Sequence, residues 1–242
     1  MGQILSYIWG EAKKPESHTY PSGGYSFNDL RRKKEIVWCK HYNNEQRILL
    51  VGEGDFSFSA CLAVVFGSSS SNITATSLNS IEFLHRNYRN AIANIQKLTS
   101  RGATVMHRVD ATTMSSHSFL RLIKYDRIIY NFPFYGFRRR NETRESNLQK
   151  HRELVRGFLW NAKKMLQEDG EIHISHKTNG FHLEWNVKEL ASLEGLCLLR
   201  QVKFNLNDYP GYETKYGFGG DKNFDCNPSM TYIWRIASTG PH

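Results

Sequence analysis

The sequence predicts an α/β domain whose mostly parallel sheet has seven strands, an antiparallel last strand and helices on both faces. From residue 47 onward, short apolar runs alternate with longer amphipathic stretches, which is the pattern of a doubly wound sheet. The last two apolar runs have no helix between them and are joined by a long loop over residues 205–229. Hydrophobic residues make up 40% of the chain and aromatic residues 13%, which is too rich for a disordered protein.

Each strand is predicted from a short apolar run with turn residues at its ends. The runs, in chain order, are 48–51, 72–78, 104–109, 127–130, 172–175, 196–204 and 230–236. Apolar side chains recur at helical spacing over 83–98 and over 148–166, and Gly170 is expected to close the second of these helices. A shorter helix is expected over 187–193.

The chain is expected to have two parts, a mobile arm over residues 1–46 and a folded domain over 47–242. The arm is rich in turn residues, and a short basic helix is predicted to include residues 31–34 and 37–38. Residues 1–6 fit the pattern for N-myristoylation of Gly2. A single acyl chain would give a weak membrane tether, and an unmodified arm is the alternative.

Several protein classes are excluded by what the sequence lacks. No stretch approaches the roughly 20 apolar residues of a membrane span, and the N-terminus does not resemble a secretory signal. His173 and His176 lie three apart on a predicted strand and point to opposite faces, so they do not pair on a metal. We therefore expect an intracellular protein without bound metal. The cysteines lie far apart, which indicates neither a disulfide framework nor a zinc site: Cys39, Cys61, Cys197 and Cys226.

The positive charge of the chain is concentrated in one segment. Lys and Arg number 32 against 23 Asp and Glu, a net charge of +9. Residues 137–164 hold nine of these basic residues and three of the acidic ones, so this segment carries two-thirds of the net charge. Such a patch favours a polyanionic partner. A solvated helix face is the alternative interpretation.

Candidate ligand-binding residues follow the first three strands, because ligands of doubly wound sheets bind beyond the carboxyl ends of the strands. The first strand is followed by Gly52, Glu53, Gly54, Asp55 and Phe56, and two glycines allow a sharp turn with backbone N–H groups close to a ligand. A plain strand-to-helix turn is the alternative.

Single polar residues follow the next two strands. Asn79 follows the second strand and could hydrogen-bond a ribose hydroxyl. Asp110 follows the third strand and could accept from an adenine amino group, or it could simply cap a helix. Ser57 stands where a dinucleotide fingerprint has its third glycine, which argues against an NAD-dependent oxidoreductase.

The fourth strand ends in Asn131, Phe132, Pro133 and Phe134. Many nucleic-acid methyltransferases have an Asn or Asp, then a Pro, then an aromatic residue at this place. The amide and the rigid backbone can hydrogen-bond a target base, and the aromatic ring can stack on a base turned out of its helix. An aromatic-rich turn is the alternative. The basic segment 137–164 begins directly afterwards.

The residues from about 47 to 217 resemble the 25S ribosomal RNA uridine-N3-methyltransferase-like family. The resemblance is carried by the string G-E-G-D-F-S-F-S at 52–59 and by shorter matches. These are 74–78, 102–105, 109–112, 132–133, 170–173 and 208–212. The resemblance implies a Rossmann-like class I methyltransferase with S-adenosylmethionine as cofactor and uridine N3 of large-subunit rRNA as acceptor. Five strand–helix units with an antiparallel ending suit such a sheet better than a dehydrogenase sheet.

The resemblance also implies a role for each candidate residue. Gly52, Gly54 and Asp55, with Glu53 and Phe56 in the same loop, would hold the methionine end of the cofactor. Asn79 would contact the ribose and Asp110 the adenine. In the catalytic set, Asn131 and Pro133 would position the uracil and Phe134 would stack on it. The RNA phosphates would be held by Arg138, Arg139, Arg140, Arg144 and Lys150.

Two positions depart from the family's pattern. The family has an acidic residue after the second strand, where this chain has Asn79. The family's N-F-P-H motif ends in His, where this chain has Phe134. These departures motivate an alternative function, a catalytically weakened, RNA-binding relative of the family. In either case we expect a monomer in the nucleolus or nucleus, with the cytoplasm as the alternative location.

Overall fold

The computed structural model describes residues 35–217 and 220–237, and the chain from Ile36 onward belongs to one compact unit. The acylation pattern at residues 1–6 and the basic residues 31–34 lie outside the described residues, as does most of the predicted arm. Within the described ranges, each helix is too short or too polar to cross a lipid bilayer.

A seven-stranded sheet forms the centre of the domain. A two-stranded hairpin precedes it, with β1 at Trp38–Cys39 and β2 at Tyr42–Asn43. The strands of the large sheet are β3 (Ile48–Val51), β4 (Ile73–Thr76), β5 (Thr104–Met106), β6 (Tyr125–Asn131), β7 (Leu166–Lys177), β8 (Leu196–Lys203) and β9 (Ser229–Ile236).

The strand order in this sheet is β5-β4-β3-β6-β7-β9-β8. Strands β3 to β7 pair in parallel, whereas β9 lies between β7 and β8 and is antiparallel to both. The predicted sheet with its antiparallel last strand is therefore confirmed.

Helices cover both faces of the sheet, as predicted. They are α1 (Ser57–Phe66), α2 (Ile81–Asn87), α3 (Ala91–Thr99), α4 (Arg144–Met165) and α5 (Val187–Leu193). One buried cluster includes Phe158 of α4 and Leu190 of α5. A second cluster on the other face includes Leu62 of α1 and Leu98 of α3. Both faces thus bury their apolar side chains against a helical layer.

The structure corrects the helix predicted to include residues 37–38. Trp38 belongs to the β1–β2 hairpin, and Cys39 and Tyr42 are buried in the core. Tyr42 Oη lies 3.1 Å from His173 Nδ1, so the hairpin is tied to the central sheet. These residues, predicted as part of the arm, therefore belong to the folded unit.

Two other helix predictions were partly wrong. The stretch 83–98 forms two helices because Tyr88 adopts an extended conformation between them, with its side chain buried. The long helix ends at Met165 rather than near Gly170, and β7 begins at the next residue. Gly170 instead lies inside β7, where a side chain would collide with Leu166.

A buried carboxylate joins four strands at the far end of the sheet from the strands' carboxyl edge, because Glu171 of β7 pairs with arginines of β6, β8 and β9. Glu171 Oε2 lies 2.9 Å from His173 Nε2 and 3.3 Å from Arg127 Nε, and its Oε1 lies 3.4 Å from Arg235 Nη2. Burial raises the pKa of Glu171, but the His173 hydrogen bond and the Arg127 charge outweigh this effect and bring the pKa to about 2. The ionised carboxylate is therefore the form that stabilises the fold.

Replacing Glu171 by Gln should lower the free energy of unfolding by about 3 kcal/mol at neutral pH, because it leaves Arg127, Arg200 and Arg235 without their buried partner. The folded-state pKa lies below the ordinary value of 4.5. The stabilisation is thus complete above pH 4.5 and is lost as the pH falls towards 2, so the two proteins should converge in that range. Urea unfolding followed by tryptophan fluorescence at several pH values measures this.

Asp169→Asn provides the matched control. Asp169 is exposed and lies 3.9 Å from Arg235, so its substitution should change the unfolding free energy by less than about 0.5 kcal/mol. Equal effects of the two substitutions would contradict the structural role of Glu171.

Candidate functional site

A cavity of about 270 Å³ opens at the carboxyl ends of β3, β6 and β7. Five chain segments line it: the glycine loop after β3 with the start of α1, the turn after β6, the end of β7, the segment Gly180–Trp185, and the long loop between β8 and β9. The polar and charged lining residues are Glu53, Asp55, Ser57, Asn131, His176, Lys177, His182, Glu213 and Lys215. Aromatic side chains line it as well: Phe58, Tyr130, Phe132, Phe134, Phe137, Tyr212, Tyr216 and Phe224.

The glycine loop lines the cavity, and its backbone packs directly on an aromatic ring. Gly52 has φ +68°, and a Cβ at this position would overlap the ring of Tyr130. Only glycine adopts this positive φ easily and has no side chain that would overlap the ring. The loop can therefore turn sharply and keep its N–H groups near a ligand. Gly54 also lines the cavity. Phe56, predicted as part of the cofactor loop, has its ring in the buried core.

The two acidic residues of the loop differ in their partners. Glu53 Oε2 accepts hydrogen bonds from Ser59 N at 3.1 Å and Ser59 Oγ at 2.8 Å, and burial raises the pKa of Glu53 to about 7. Asp55 Oδ1 accepts from Ser57 N at 3.0 Å. Asp55 Oδ2 is buried and has no hydrogen-bond partner among the described residues. Burial also raises the pKa of Asp55. Oδ2 is therefore the acceptor that the loop offers to a ligand.

The turn after β6 brings the predicted base-binding residues into the same cavity. Asn131 Oδ1 accepts from Ser175 Oγ at 2.8 Å, while Asn131 Nδ2 is buried without a partner in the described part of the chain. Pro133 and Phe134 follow it along the cavity wall. The Phe134 ring stacks on His151 at 5.1 Å and 27°, and this contact fixes its orientation.

Asn79 and Asp110 are not among the residues that line the cavity. Asp110 Oδ1 accepts hydrogen bonds from both Thr112 N and Thr112 Oγ1 at 2.7 Å, which is a local turn contact and not the helix cap considered as its alternative role. The carbonyl of Asn79 accepts from Arg108 N at 3.4 Å. Their proposed contacts with ribose and adenine stay predictions.

The five predicted RNA-binding residues fall into two groups. Arg138, Arg139 and Arg140 are exposed beside the cavity, directly after the lining residue Phe137. Arg144 pairs with Glu184, and Lys150 Nζ lies 2.7 Å from Glu142 Oε1. The first three residues are thus the more available for an external anion.

The long loop contributes residues that the sequence patterns did not single out. Lys215 Nζ lies 2.6 Å from Glu213 Oε2 and 3.2 Å from Asp221 Oδ1, and its side chain is mostly buried. Ser57 Oγ accepts from Glu213 N at 3.0 Å, which holds the loop against the glycine loop. The length of the loop was the available signal, because long irregular loops in compact domains are usually functional.

Sequence reasoning also missed the lining residues His176 and His182. His176 was considered as a metal ligand and set aside, and its position on a strand gave no sign that it would reach a cavity. The described residues contain no cluster of three or more His, Cys, Asp or Glu that could hold a metal ion.

Comparison with known proteins identifies the family. Residues 49–216 match the family described as BMT5-like, rRNA (uridine-N3-)-methyltransferase BTM5-like. The chain is 51% identical over 192 residues to Uncharacterized protein At4g26485 of Arabidopsis thaliana, covering 79% of this chain and 91% of that one. It is 24% identical over 223 residues to the 25S rRNA (uridine(2634)-N(3))-methyltransferase of Saccharomyces cerevisiae, covering 71% and 66%.

Another Arabidopsis thaliana relative is much longer than this chain. Heavy metal-associated isoprenylated plant protein 41 is 50% identical over 205 residues, which is 84% of this chain but only 39% of that protein. This chain therefore spans well under half of that relative.

A solved structure shares the fold. The structure of NSun6 from Pyrococcus horikoshii with SFG superimposes with a TM-score of 0.52 at 18% identity, covering 81% of this chain and 49% of that one. The predicted family resemblance, fold class and cofactor are confirmed together. The chain belongs to the BMT5-like family and is an S-adenosylmethionine-dependent methyltransferase with a class I fold.

Proposed function

We propose that this methyltransferase transfers the methyl group to N3 of a uridine in large-subunit ribosomal RNA. The observation that carries the proposal is that the glycine loop and the turn from Asn131 to Phe134 line one cavity, beside three exposed arginines. The family description names uridine-N3 methylation of rRNA, and the similar yeast protein bears a corresponding name.

The lining residues fit S-adenosylmethionine. Gly52 keeps the loop backbone open to a ligand, and Asp55 Oδ2 is a buried acceptor that the ammonium group of the methionine moiety would satisfy. When bound, this cofactor supplies a methyl group already activated on a sulfonium sulfur. The protein would then have to align uracil N3 with that methyl group. The N3–C bond would form as the S–C bond breaks, S-adenosylhomocysteine would leave, and the N3 proton would pass to solvent.

The turn after β6 supplies the means to hold a flat base. Pro133 restricts the backbone, Asn131 Nδ2 offers a donor, and the Phe134 ring offers a stacking face that His151 supports from behind. His151 in turn stacks on Trp185 at 4.2 Å and 16°. A rigid stack of this kind would fix the plane of the uracil relative to the methyl donor.

The exposed arginines would bind the RNA backbone. Arg138, Arg139 and Arg140 directly follow the base-binding turn, so phosphates on either side of an extruded nucleotide could reach them. Such an enzyme would work where ribosomal RNA matures, in the nucleolus or nucleus, with the cytoplasm as the alternative.

The departures at Asn79 and Phe134 do not favour the weakened-relative hypothesis. Asn79 lies outside the cavity lining, and the ring of Phe134 keeps a stacking function. We therefore expect turnover as well as RNA binding.

The purified chain should convert uridine to 3-methyluridine in unmodified large-subunit rRNA when S-adenosylmethionine is supplied. Nucleoside mass spectrometry of the digested rRNA measures the product. Asn131→Ala should lower the rate about 100-fold, because the base loses its positioning donor. Asn90→Ala, at an exposed position directly before α3 and outside the cavity lining, serves as the matched control. RNA binding and cofactor binding without any methylated uridine would favour the weakened relative instead.

Asp55→Asn should weaken S-adenosylmethionine binding about 10- to 100-fold, because an amide keeps the hydrogen bond from Ser57 N but lacks the charge that pairs with the ammonium group. Isothermal titration calorimetry measures the affinity. Asp225→Asn is the matched control, since Asp225 accepts a similar local bond from Asn227 N and is exposed outside the cavity lining. An unchanged affinity in Asp55→Asn would argue against this role.

Reversing Arg138, Arg139 and Arg140 to Glu should weaken RNA binding and leave cofactor affinity unchanged. The slope of log affinity against log salt concentration should fall by about 2, because each single-strand phosphate that is no longer neutralised lowers it by about 0.7. Fluorescence anisotropy over a salt series tests this. Reversal of Arg86, Lys188 and Lys203, which are also exposed, should have a smaller effect. Equally weakened binding in both variants would indicate non-specific charge attraction.

A further inference from the structure

Two aromatic side chains, Phe137 and Tyr216, lie at the mouth of the cavity and face solvent. Phe137 is 62% exposed and Tyr216 is 38% exposed, and both also line the cavity. Their ring centroids lie 5.9 Å apart, and we call this pair of rings the mouth platform. Single exposed apolar side chains are common on protein surfaces, but adjacent rings at the rim of a binding cavity indicate a surface that a ligand covers.

The mouth platform continues a run of aromatic rings that begins in the core. The Phe137 ring packs edge-on against Phe134, with centroids 5.0 Å apart and planes inclined at 71°. Phe134 stacks on His151, which is fully buried and stacks in turn on Trp185. The exposed ring of Phe137 is therefore supported by rings that the core holds in place.

The backbone of Tyr216 is anchored to the helical layer. Tyr88, which is buried between α2 and α3, donates a hydrogen bond from its Oη to Tyr216 O at 3.1 Å. The preceding residue, Lys215, forms its ion pairs with Glu213 and Asp221. Both sides of the mouth platform are thus fixed before a ligand arrives, which reduces the entropy that binding would cost.

Positive charge adjoins the mouth platform. Arg138, Arg139 and Arg140 directly follow Phe137 and are exposed. A turn keeps them in place, because Glu142 N donates to Arg139 O and Arg138 Nη1 donates to Glu142 O, each at 3.1 Å. Flat apolar rings beside cations suit the bases and phosphates of an unpaired nucleic-acid strand. An apolar protein segment would match the rings but would offer no anion to the three guanidinium groups.

The angle between two of the rings indicates which form of RNA fits. A base stacked on Phe134 and a base stacked on Phe137 would have planes inclined at about the 71° that separates the rings. Neighbouring bases within a helix are nearly parallel, whereas the bases of loops and bulges can be splayed apart and stacked on separate aromatic side chains. The two rings therefore fit consecutive nucleotides only where the strand bends sharply.

We propose that the mouth platform stacks on a nucleotide next to the target uridine, so that the substrate is an unpaired segment of RNA and not a helix. This inference rests on the proposed function, in which Phe134 stacks on the target uracil. The neighbouring base lies on Phe137 and Tyr216, and the phosphates beside it reach the arginines. The platform thus holds the strand in the bent form that lets one base enter the cavity.

A binding cycle that changes the protein and the RNA together tests the inference without requiring turnover. The full chain, saturated with S-adenosylhomocysteine, is titrated into a fluorescein-labelled single strand of about nine nucleotides with one central uridine among cytidines. Fluorescence anisotropy measures the affinity. An abasic nucleotide on one side of the uridine should weaken wild-type binding about tenfold, and Phe137→Ala should weaken binding of the intact strand by a similar factor.

The two changes should not add, because each removes one partner of the same stack. Phe137→Ala should therefore bind the abasic and intact strands equally. If abasic nucleotides on either side of the uridine weaken wild type and Phe137→Ala by the same factor, the proposal is overturned. Phe119→Ala is the matched control, since Phe119 is 45% exposed and lies outside the cavity lining. Retained binding of S-adenosylhomocysteine shows that each variant is folded.

Further variants separate stacking from other kinds of attraction. Phe137→Trp should keep the affinity, whereas Phe137→Leu, which is apolar but has no flat ring, should lose as much as Phe137→Ala. An unchanged affinity in Phe137→Leu would reduce the platform to a general apolar contact and overturn the proposal. Phe137→Ala should keep the salt dependence of binding, because the ring neutralises no phosphate. Hybridised to its complement, the strand should bind wild type and Phe137→Ala equally, and a loss in the variant there would contradict selection of unpaired RNA.

The outcomes distinguish this inference from the proposed function. A wild-type chain that shows the coupling between Phe137 and the neighbouring nucleotide but methylates no rRNA uridine keeps the mouth platform and removes the proposed function. A wild-type chain that methylates rRNA uridine while Phe137→Ala keeps its kcat/KM and shows no such coupling removes the mouth platform alone.

Discussion

The parallel pairing of β3 with β6 is the constraint on which the site depends. Its register aligns Val51 with Tyr130, so the two strands end side by side and the glycine loop begins next to Asn131. The same register places the Tyr130 ring under Gly52, where no side chain other than hydrogen fits. The glycine loop and the turn from Asn131 to Phe134 are therefore juxtaposed by backbone hydrogen bonds of the sheet, and a shift of one residue would separate them.

The sequence predicts those parts of the molecule whose signal is local. Apolar runs such as 48–51 identified the sheet, and the glycine loop and the Asn131–Phe134 turn were found because they follow strands. The hairpin at Trp38 was missed because two-residue strands have no periodicity. The pairing of Arg144 with Glu184 joins residues 40 positions apart, and no local pattern indicates it. Likewise, Lys215 lines the cavity because a loop folds back over a helix that is distant in the sequence, and no local pattern indicates this.

Ring stacking explains how the chain accommodates an aromatic residue at position 134, where the family resemblance led us to expect His. Phe134 lies against His151, and His151 lies against Trp185, so three rings from the β6 turn, α4 and the segment before α5 form one column. Burial lowers the pKa of His151 to about 4, which keeps the column uncharged near neutral pH. An apolar ring at position 134 therefore presents a flat face to the cavity without placing a further titratable group there.

The position of β9 has a consequence for how the chain folds during its synthesis. Among the described strands, β8 pairs with β9 and no other, although β8 is made first. While residues 204–228 emerge from the ribosome, β8 has no strand to pair with, and the edge of β7 stays open to other chains. The sheet can close only when β9 inserts between them, so the synthesis of β9, and not the assembly of β3 to β7, sets the moment at which this enzyme becomes resistant to misassembly.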